Sequence, residues 1–93
     1  MDLQELRKEI DAIDDQIVAL FCQRMAVSEK IGRYKKERNL PVFVPAREAE
    51  KLQDVASKAT PGLEQTVQAL YAQIFELSRA HQQTQHTEHN EVV

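Results

Sequence analysis

Residues 20–34 read LFCQRMAVSEKIGRY, and Arg24 occupies the position in this stretch where the hydrophobic pattern calls for an apolar side chain. Apolar residues recur at alternating spacings of three and four, which predicts one face of a long α-helix. These positions are Leu3, Leu6, Ile10, Ile13, Ile17, Leu20, Val27, Ile31 and Tyr34. Because a guanidinium stays protonated, burying it in a helical seam requires an anion from the protein or from a ligand.

The composition predicts one small all-α domain. The chain has 93 residues, of which 42% are hydrophobic and 29% charged, with only two Gly and three Pro. No stretch alternates with period two, as a half-buried strand would. We expect the helical domain to cover residues 1–83. Residues 84–93 are polar and aperiodic, and we expect them to form a disordered tail.

The sequence also indicates in which cellular compartment the protein lies and which class of partner its charge disfavours. Met1–Glu5 lacks the regions of a signal peptide, and no apolar run is long enough to span a membrane. Cys22 is a lone cysteine, which fits a reducing compartment, so we expect a cytoplasmic location. A net charge of -3 argues against a nucleic-acid partner. The basic run Lys30–Arg38 lacks the interleaved aromatic residues of a nucleic-acid surface beyond Tyr34.

Helix 1 is predicted over about residues 3–38, with Asp2 and Glu5 forming a capping box. Such a helix is about 54 Å long, which exceeds the width of any compact monomer that this chain can build. We therefore expect a two-fold homodimer in which helix 1 of one chain packs antiparallel along helix 1 of the other.

Two shorter helices are predicted after a loop at residues 39–44. Helix 2 covers about residues 45–58, and Pro45 fits its first position. Helix 3 covers about residues 61–83, with Thr60-Pro61 read as an N-cap followed by a proline at the first helical position.

Cations on helix 1 are placed for a site that two chains share. Arg7 and Arg24 are separated by about 26 Å along the helix, so one chain cannot bring both to the same small molecule. An antiparallel dimer can. Lys35 follows Arg24 at close to three full turns, so both project from one face, about 16 Å apart. Ser28 and Gly32 lie between them, and their small size is expected to leave room for a ligand.

Further polar residues interrupt the apolar faces of the shorter helices. Arg47 and Glu48 lie in the first turn of helix 2, and Ser78 and Gln82 lie one turn apart in helix 3. The chain offers no nucleophile paired with a base, no metal-ligand cluster and no glycine-rich phosphate loop. This inventory favours electrostatic positioning of a small dianion, without a cofactor or metal.

In these features the chain resembles the all-helical chorismate mutases, the intertwined-dimer class of the shikimate pathway. The resemblance spans residues 3–82 and rests on several short stretches in the same order. They are Leu6–Asp14 (LRKEIDAID), Gln23–Met25 (QRM), Ile31–Lys35 (IGRYK), Pro41-Val42, Arg47-Glu48, and Ser78 followed by Gln82.

The resemblance implies an intertwined homodimer that rearranges chorismate to prephenate. It implies that Arg7 enters the neighbouring subunit's pocket and pairs with a substrate carboxylate, while Arg24 holds a carboxylate from its own subunit. Lys35 and Gln82 would flank the ether oxygen and, with Arg24, form the catalytic set. The remaining binding residues would be Arg47 near the enolpyruvyl side chain, Glu48 at the ring hydroxyl and Ser78 at the ring carboxylate.

Val44 departs from the pattern, because many relatives have Asp at this position, at the start of helix 2. An Asp would cap the helix and contribute to the end of the pocket that takes the substrate hydroxyl. Two alternatives therefore stay open on the same fold: an isochorismate-pyruvate lyase, or a mutase of 4-amino-4-deoxychorismate. A third, from another class, is a non-catalytic helical dimerisation module whose seam arginine meets a protein carboxylate.

Overall fold

The computed structural model of the chain contains three α-helices and no strand among residues 2–91, for which it describes the backbone; it describes side chains for residues 2–84. Helix α1 covers Leu3–Glu37, α2 covers Pro45–Lys58 and α3 covers Glu64–Glu91. The prediction of an all-α fold is confirmed.

Both ends of α1 are closed by local hydrogen bonds. The Asp2 carboxylate accepts from the Glu5 backbone N–H at 2.8 Å, and the Glu5 carboxylate accepts from the Asp2 N–H at 3.4 Å, which is the predicted capping box. At the other end, Asn39 takes a left-handed φ of 55°. The N–H of Leu40 bonds to the carbonyl of Lys35 at 2.8 Å, as in a Schellman ending.

The predicted start of helix 3 at Pro61 is wrong. Thr60–Leu63 form a turn in which the Leu63 N–H donates to the Thr60 carbonyl at 2.9 Å. Pro61 and Gly62 hold the two central positions, and Gly62 has φ 98°. This arrangement has the residue pattern of a type II turn, which Pro favours first and Gly second. The turn delays the helix to Glu64, because a residue at positive φ cannot continue a right-handed helix.

Helix α3 continues past residue 83, where the sequence placed its end, and runs to Glu91. The side chains of residues 85–91 and residues 92–93 lie outside the described residues. The boundary between a domain at 1–83 and a tail at 84–93 stays a prediction.

Helix α3 packs against both α1 and α2. Along α1, the contact uses the second half of the helix, where Ser28 and Gly32 are buried. A Cβ atom added at Gly32 would lie 3.1 Å from the Gln82 Cα on α3. The small residues between Arg24 and Lys35 therefore admit a neighbouring helix. From the sequence, Ser28 and Gly32 are expected to leave room for a ligand. Ser28 lines the groove described below, whereas Gly32 is in contact with α3.

The first half of α1 is exposed in the single chain. Every residue from Asp2 to Leu20 is exposed, and the apolar stripe is included: Ile10 is 57% exposed, Ile17 58% and Leu20 62%. The molecule measures 58 × 28 × 14 Å, with α1 as its long dimension. A continuous apolar surface of this length is typical of a protein–protein interface.

Residues 2–91 contain no helix that combines the length and the apolar content needed for a bilayer span.

Replacing Gly32 by Ala tests the close approach of α1 and α3. In an exposed helix this change would stabilise the fold by about 1 kcal/mol. Here we expect destabilisation by about 1–3 kcal/mol, because the added methyl group meets the α3 backbone. Urea denaturation at a fixed protein concentration measures the difference. Gly62→Ala is the comparison: it strains a turn far from this contact, so it should cost stability without displacing Gln82. A stabilised Gly32→Ala protein would contradict the packing described.

Candidate active site

A groove of about 790 Å³ lies where the second half of α1 meets the loop before α2, the first turns of α2 and the end of α3. Its apolar lining includes Leu20, Val27 and Ile31 from the hydrophobic seam, together with Val42 and Phe75. Its size falls in the range of small-molecule sites.

Six of the seven predicted site residues line this groove: Arg24, Lys35, Arg47, Glu48, Ser78 and Gln82. The seventh, Arg7, lies outside the groove on the exposed half of α1. Four polar residues that were not predicted as site residues also line it: Gln23, Ser28, Lys51 and Arg79. Two of them could have been found from their position in the sequence, because Ser28 lies one helical turn from Arg24 and Arg79 directly follows Ser78.

Arg24 is half-buried against α3. Its Nη1 donates to the Ser78 hydroxyl at 3.0 Å, and its guanidinium lies 5.8 Å from the Phe75 ring centroid and 5.9 Å from that of Tyr71. Among the side chains of residues 2–84, no carboxylate lies within ion-pair distance of it. The two aromatic rings stabilise part of the guanidinium charge. An anionic ligand or a carboxylate of a second chain could neutralise the remainder.

Lys35 is fixed by two acceptors. Its Nζ donates to the Val42 carbonyl at 2.8 Å and to Gln82 Oε1 at 3.3 Å. An ammonium has three N–H donors, so one remains for a ligand. Desolvation in the groove lowers the pKa of Lys35 from 10.5, and the nearby Glu48 carboxylate opposes that shift.

The Gln82 amide is held from both sides. Its Oε1 accepts from Lys35, and its Nε2 donates to the Ser28 hydroxyl at 3.0 Å. Gln82 and Ser28 are both buried, with 8% and 4% of their surface exposed. Because a buried polar group costs free energy when unpaired, these bonds favour one orientation of the amide. Its second N–H hydrogen remains for a ligand.

The cations contributed by α2 have carboxylate partners on the same helix. Arg47 pairs with Glu50 at 3.3 Å on an exposed face, and Lys51 pairs with Asp54 at 3.1 Å. Asp54 also accepts from Lys58, and these hydrogen bonds lower the pKa of Asp54. Both Arg47 and Lys51 therefore bring positive charge to the groove with a partner already in place.

Arg79 on α3 faces Glu48 on α2. Its Nη1 contacts both carboxylate oxygens, at 2.5 and 2.6 Å, and its guanidinium lies 4.9 Å from the Phe43 ring centroid. The sequence analysis missed this pair, because only the packing of α2 on α3 brings the two side chains together.

The charge balance of the groove favours an anionic ligand. Five cationic side chains and one carboxylate, that of Glu48, line it. Three of the cations have ion-pair partners, and Arg24 and Lys35 have none among the side chains of residues 2–84. Two unpaired cations with free N–H donors nearby are suited to hold a dianion and to stabilise charge that develops on it.

Val44 precedes α2 without capping it through its side chain, and it adds apolar surface to the groove. Within residues 2–84, no group of three or more His, Cys, Asp or Glu side chains is arranged to hold a metal ion.

The family described as chorismate mutase type II matches residues 6–83. The chain is also similar to a bifunctional chorismate mutase/prephenate dehydratase of Aquifex aeolicus, with 49% identity over 49 residues, 53% of this chain and 14% of that protein. A T-protein of Haemophilus influenzae is 37% identical over 51 residues, covering 55% and 14% of the two chains. A chorismate mutase of Methanocaldococcus jannaschii is 35% identical over 46 residues, covering 50% and 46%. The matched stretch is thus less than half the length of each relative.

An NMR titration of lysine side chains tests the environment of Lys35. We expect the pKa of Lys35 to lie below 10.5 and to fall further in Glu48→Gln, because that change removes the carboxylate that stabilises the ammonium. The positive charge of Lys35 is therefore lost as pH rises through its lowered pKa, while the guanidinium groups of the groove stay charged. Glu50→Gln is the matched control, since Glu50 pairs with Arg47 and should leave Lys35 unchanged. A Lys35 pKa that does not respond to Glu48→Gln would contradict this account.

Proposed function

This chain belongs to the chorismate mutase type II family, and we propose that it rearranges chorismate to prephenate. The observation that carries the proposal is the pair of groove cations, Arg24 and Lys35, neither of which forms an ion pair with a carboxylate among the side chains of residues 2–84. Chorismate is a dianion whose two carboxylates supply the missing charge. The relatives named above are longer proteins, so the proposal concerns the reaction of this chain alone.

The rearrangement needs donors at one oxygen. In its cyclic transition state the carbon–oxygen bond breaks ahead of carbon–carbon bond formation, and negative charge grows on the ether oxygen. After their contacts with residues 2–84, Lys35 and Gln82 each keep one N–H for a ligand, and we assign both to this oxygen. Each contact strengthens as the charge grows, so it lowers the barrier instead of only tightening binding. By analogy with an oxyanion-hole donor, each is worth about 3 kcal/mol.

Two neighbours hold these donors in place before the substrate arrives. The Val42 carbonyl fixes the Lys35 ammonium, and the Ser28 hydroxyl fixes the Gln82 amide. Donors that are already oriented do not have to reorganise during the reaction, which is the source of their catalytic effect.

The other residues bind and orient the substrate. Arg24 and Ser78 share a hydrogen bond, so they form one surface for carboxylate groups; we assign Arg24 to a carboxylate and Ser78 to the ring carboxylate. Arg47 lies at the exposed rim, suited to the enolpyruvyl side chain. Glu48 accepts from the ring hydroxyl. Together they hold the flexible side chain in the reactive, diaxial-like conformation.

We further propose that the functional unit is a homodimer in which Arg7 completes the partner's groove. The exposed apolar stripe on the first half of α1 supports this, because a second copy packed antiparallel along it would bury that stripe. The same arrangement brings Arg7 of one chain to Arg24 of the other, a separation of about 26 Å within one helix. A cytoplasmic location also stays a prediction.

Two kinds of alternative function are possible for this fold: an enzyme that acts on a related substrate, and a dimerisation module without catalytic activity. A lyase of isochorismate or a mutase of 4-amino-4-deoxychorismate would use the same cations; Glu48 favours the mutase of chorismate, since its carboxylate suits a ring hydroxyl. A dimerisation module would need a carboxylate for Arg24 from a second chain. The free N–H groups of Lys35 and Gln82 favour an enzyme over such a module.

Purified protein incubated separately with chorismate and with isochorismate separates these functions. We expect loss of the chorismate absorbance and formation of prephenate, without release of pyruvate, because the groove stabilises the pericyclic transition state. Lys35→Ala should reduce turnover by about a hundredfold, with a smaller effect on KM. Release of pyruvate from isochorismate would favour the lyase. Chorismate left unchanged by micromolar enzyme would remove the proposed function.

Mixing two inactive variants tests the shared groove. Random subunit exchange between Arg7→Ala and Arg24→Ala should restore about a quarter of wild-type activity, because half of the dimers are mixed and each has one complete groove. The control mixes Arg24→Ala with Lys35→Ala, both contributed by the subunit that owns the groove, and should restore none. Equal recovery in both mixtures, or none in the first, would exclude a crossing Arg7.

A further inference from the structure

Arg79 neutralises Glu48 at the end of the groove where α2 begins. One guanidinium nitrogen bridges both carboxylate oxygens, and both side chains are largely buried, with 34% and 22% of their surface exposed. The Arg79 guanidinium also lies over the Phe43 ring, 4.9 Å from its centroid. An ion pair with these contacts is more firmly held than a solvated surface pair.

The pairing leaves Glu48 able to accept another hydrogen bond. A carboxylate has about four lone-pair sites, and Arg79 uses one on each oxygen. Glu48 therefore still has an acceptor site on each oxygen for a ligand group that lines up beside it. What the pairing removes is net charge, because the carboxylate and the guanidinium cancel at short range.

Among the side chains of residues 2–84 that line the groove, Glu48 is the sole carboxylate. Val44, which precedes α2, contributes only an apolar side chain. Arg47 and Lys51 are the other charged residues of this part of α2 that line the groove, and both add positive charge. Glu48 also interacts electrostatically with Lys35, which is a cation as well.

We propose that Arg79 sets the specificity for the ring substituent, by holding Glu48 as a neutralised acceptor that takes a hydroxyl and disfavours an ammonium group. This rests on the proposed function. A hydroxyl needs an oriented acceptor and no net charge. The ammonium group of 4-amino-4-deoxychorismate needs an uncompensated carboxylate, and beside Glu48 it meets the Arg79 guanidinium at similar distance. Arg79 is thus a positioning residue for Glu48.

The experiment compares kcat/KM for chorismate and for 4-amino-4-deoxychorismate at pH 7 in wild type and in Arg79→Met. We expect the ratio to shift by about tenfold toward the amine, because the variant exposes the Glu48 charge to the ammonium. Glu48→Gln should shift the ratio the other way, since it leaves the guanidinium unpaired. A role in folding alone would lower both rates alike and leave the ratio unchanged.

Two further variants serve as controls for the effect of the Arg79 charge on the ratio. Arg79→Lys keeps the positive charge and should keep the wild-type ratio more closely than Arg79→Met does. Arg33→Met breaks an ion pair with Glu29 outside the groove and should leave the ratio unchanged. Circular dichroism shows whether each variant is folded. An unchanged ratio in folded Arg79→Met overturns the inference.

The two proposals fail differently. If wild-type protein converts no chorismate, the proposed function is lost. The ratio of calorimetric Kd values for the two compounds then tests Arg79 by itself, and the same tenfold shift in Arg79→Met is expected. If chorismate is converted and the ratio does not move, Arg79 has no part in specificity and the proposed function stands.

Discussion

The structure depends on two positive charges, those of Arg24 and Lys35, that form no ion pair with a carboxylate among the side chains of residues 2–84. Arg24 and Lys35 lie on one face of α1, at positions enclosed by α3 and the loop before α2. A guanidinium in such a place destabilises the fold unless its charge is met. The chain supplies aromatic faces, a hydroxyl, a carbonyl and an amide oxygen, all of which are neutral. A dianionic ligand supplies what they lack, which is why we link the packing of the chain directly to its proposed chemistry.

The two halves of α1 serve different purposes. The second half carries Ser28 and Gly32, small enough for α3 to approach closely, and this contact positions Gln82 opposite Lys35. In the part of the chain that the structure describes, the first half of α1 stays exposed from Asp2 to Leu20, and this includes its apolar stripe and Arg7. A long helix that is covered at one end only is suited to a second copy of itself. In that arrangement assembly and completion of the groove would be the same event.

Neutral hydrogen bonds determine how the groove presents its charges. The Ser28 hydroxyl and the Val42 carbonyl each use part of the hydrogen-bonding capacity of a neighbour, so that Gln82 and Lys35 keep a defined donor for a ligand. Arg79 does the same for Glu48 with charge in place of neutral groups. The polar groups of the groove are therefore oriented before any ligand enters, and the groups that orient them come from two helices, α1 and α3, and from the loop before α2.

The sequence was enough to predict the three helices, the capping box at Asp2, the proline start of α2 and six of the residues that line the groove, because these depend on local periodicity and spacing. It misplaced the start of α3, where Gly62 at positive φ turns the chain before the helix begins. Only the tertiary structure decided which side chains face each other across helices. The pairs made by Arg79 and by Ser28 join residues far apart in the chain, and no local pattern encodes a contact that depends on how two helices pack.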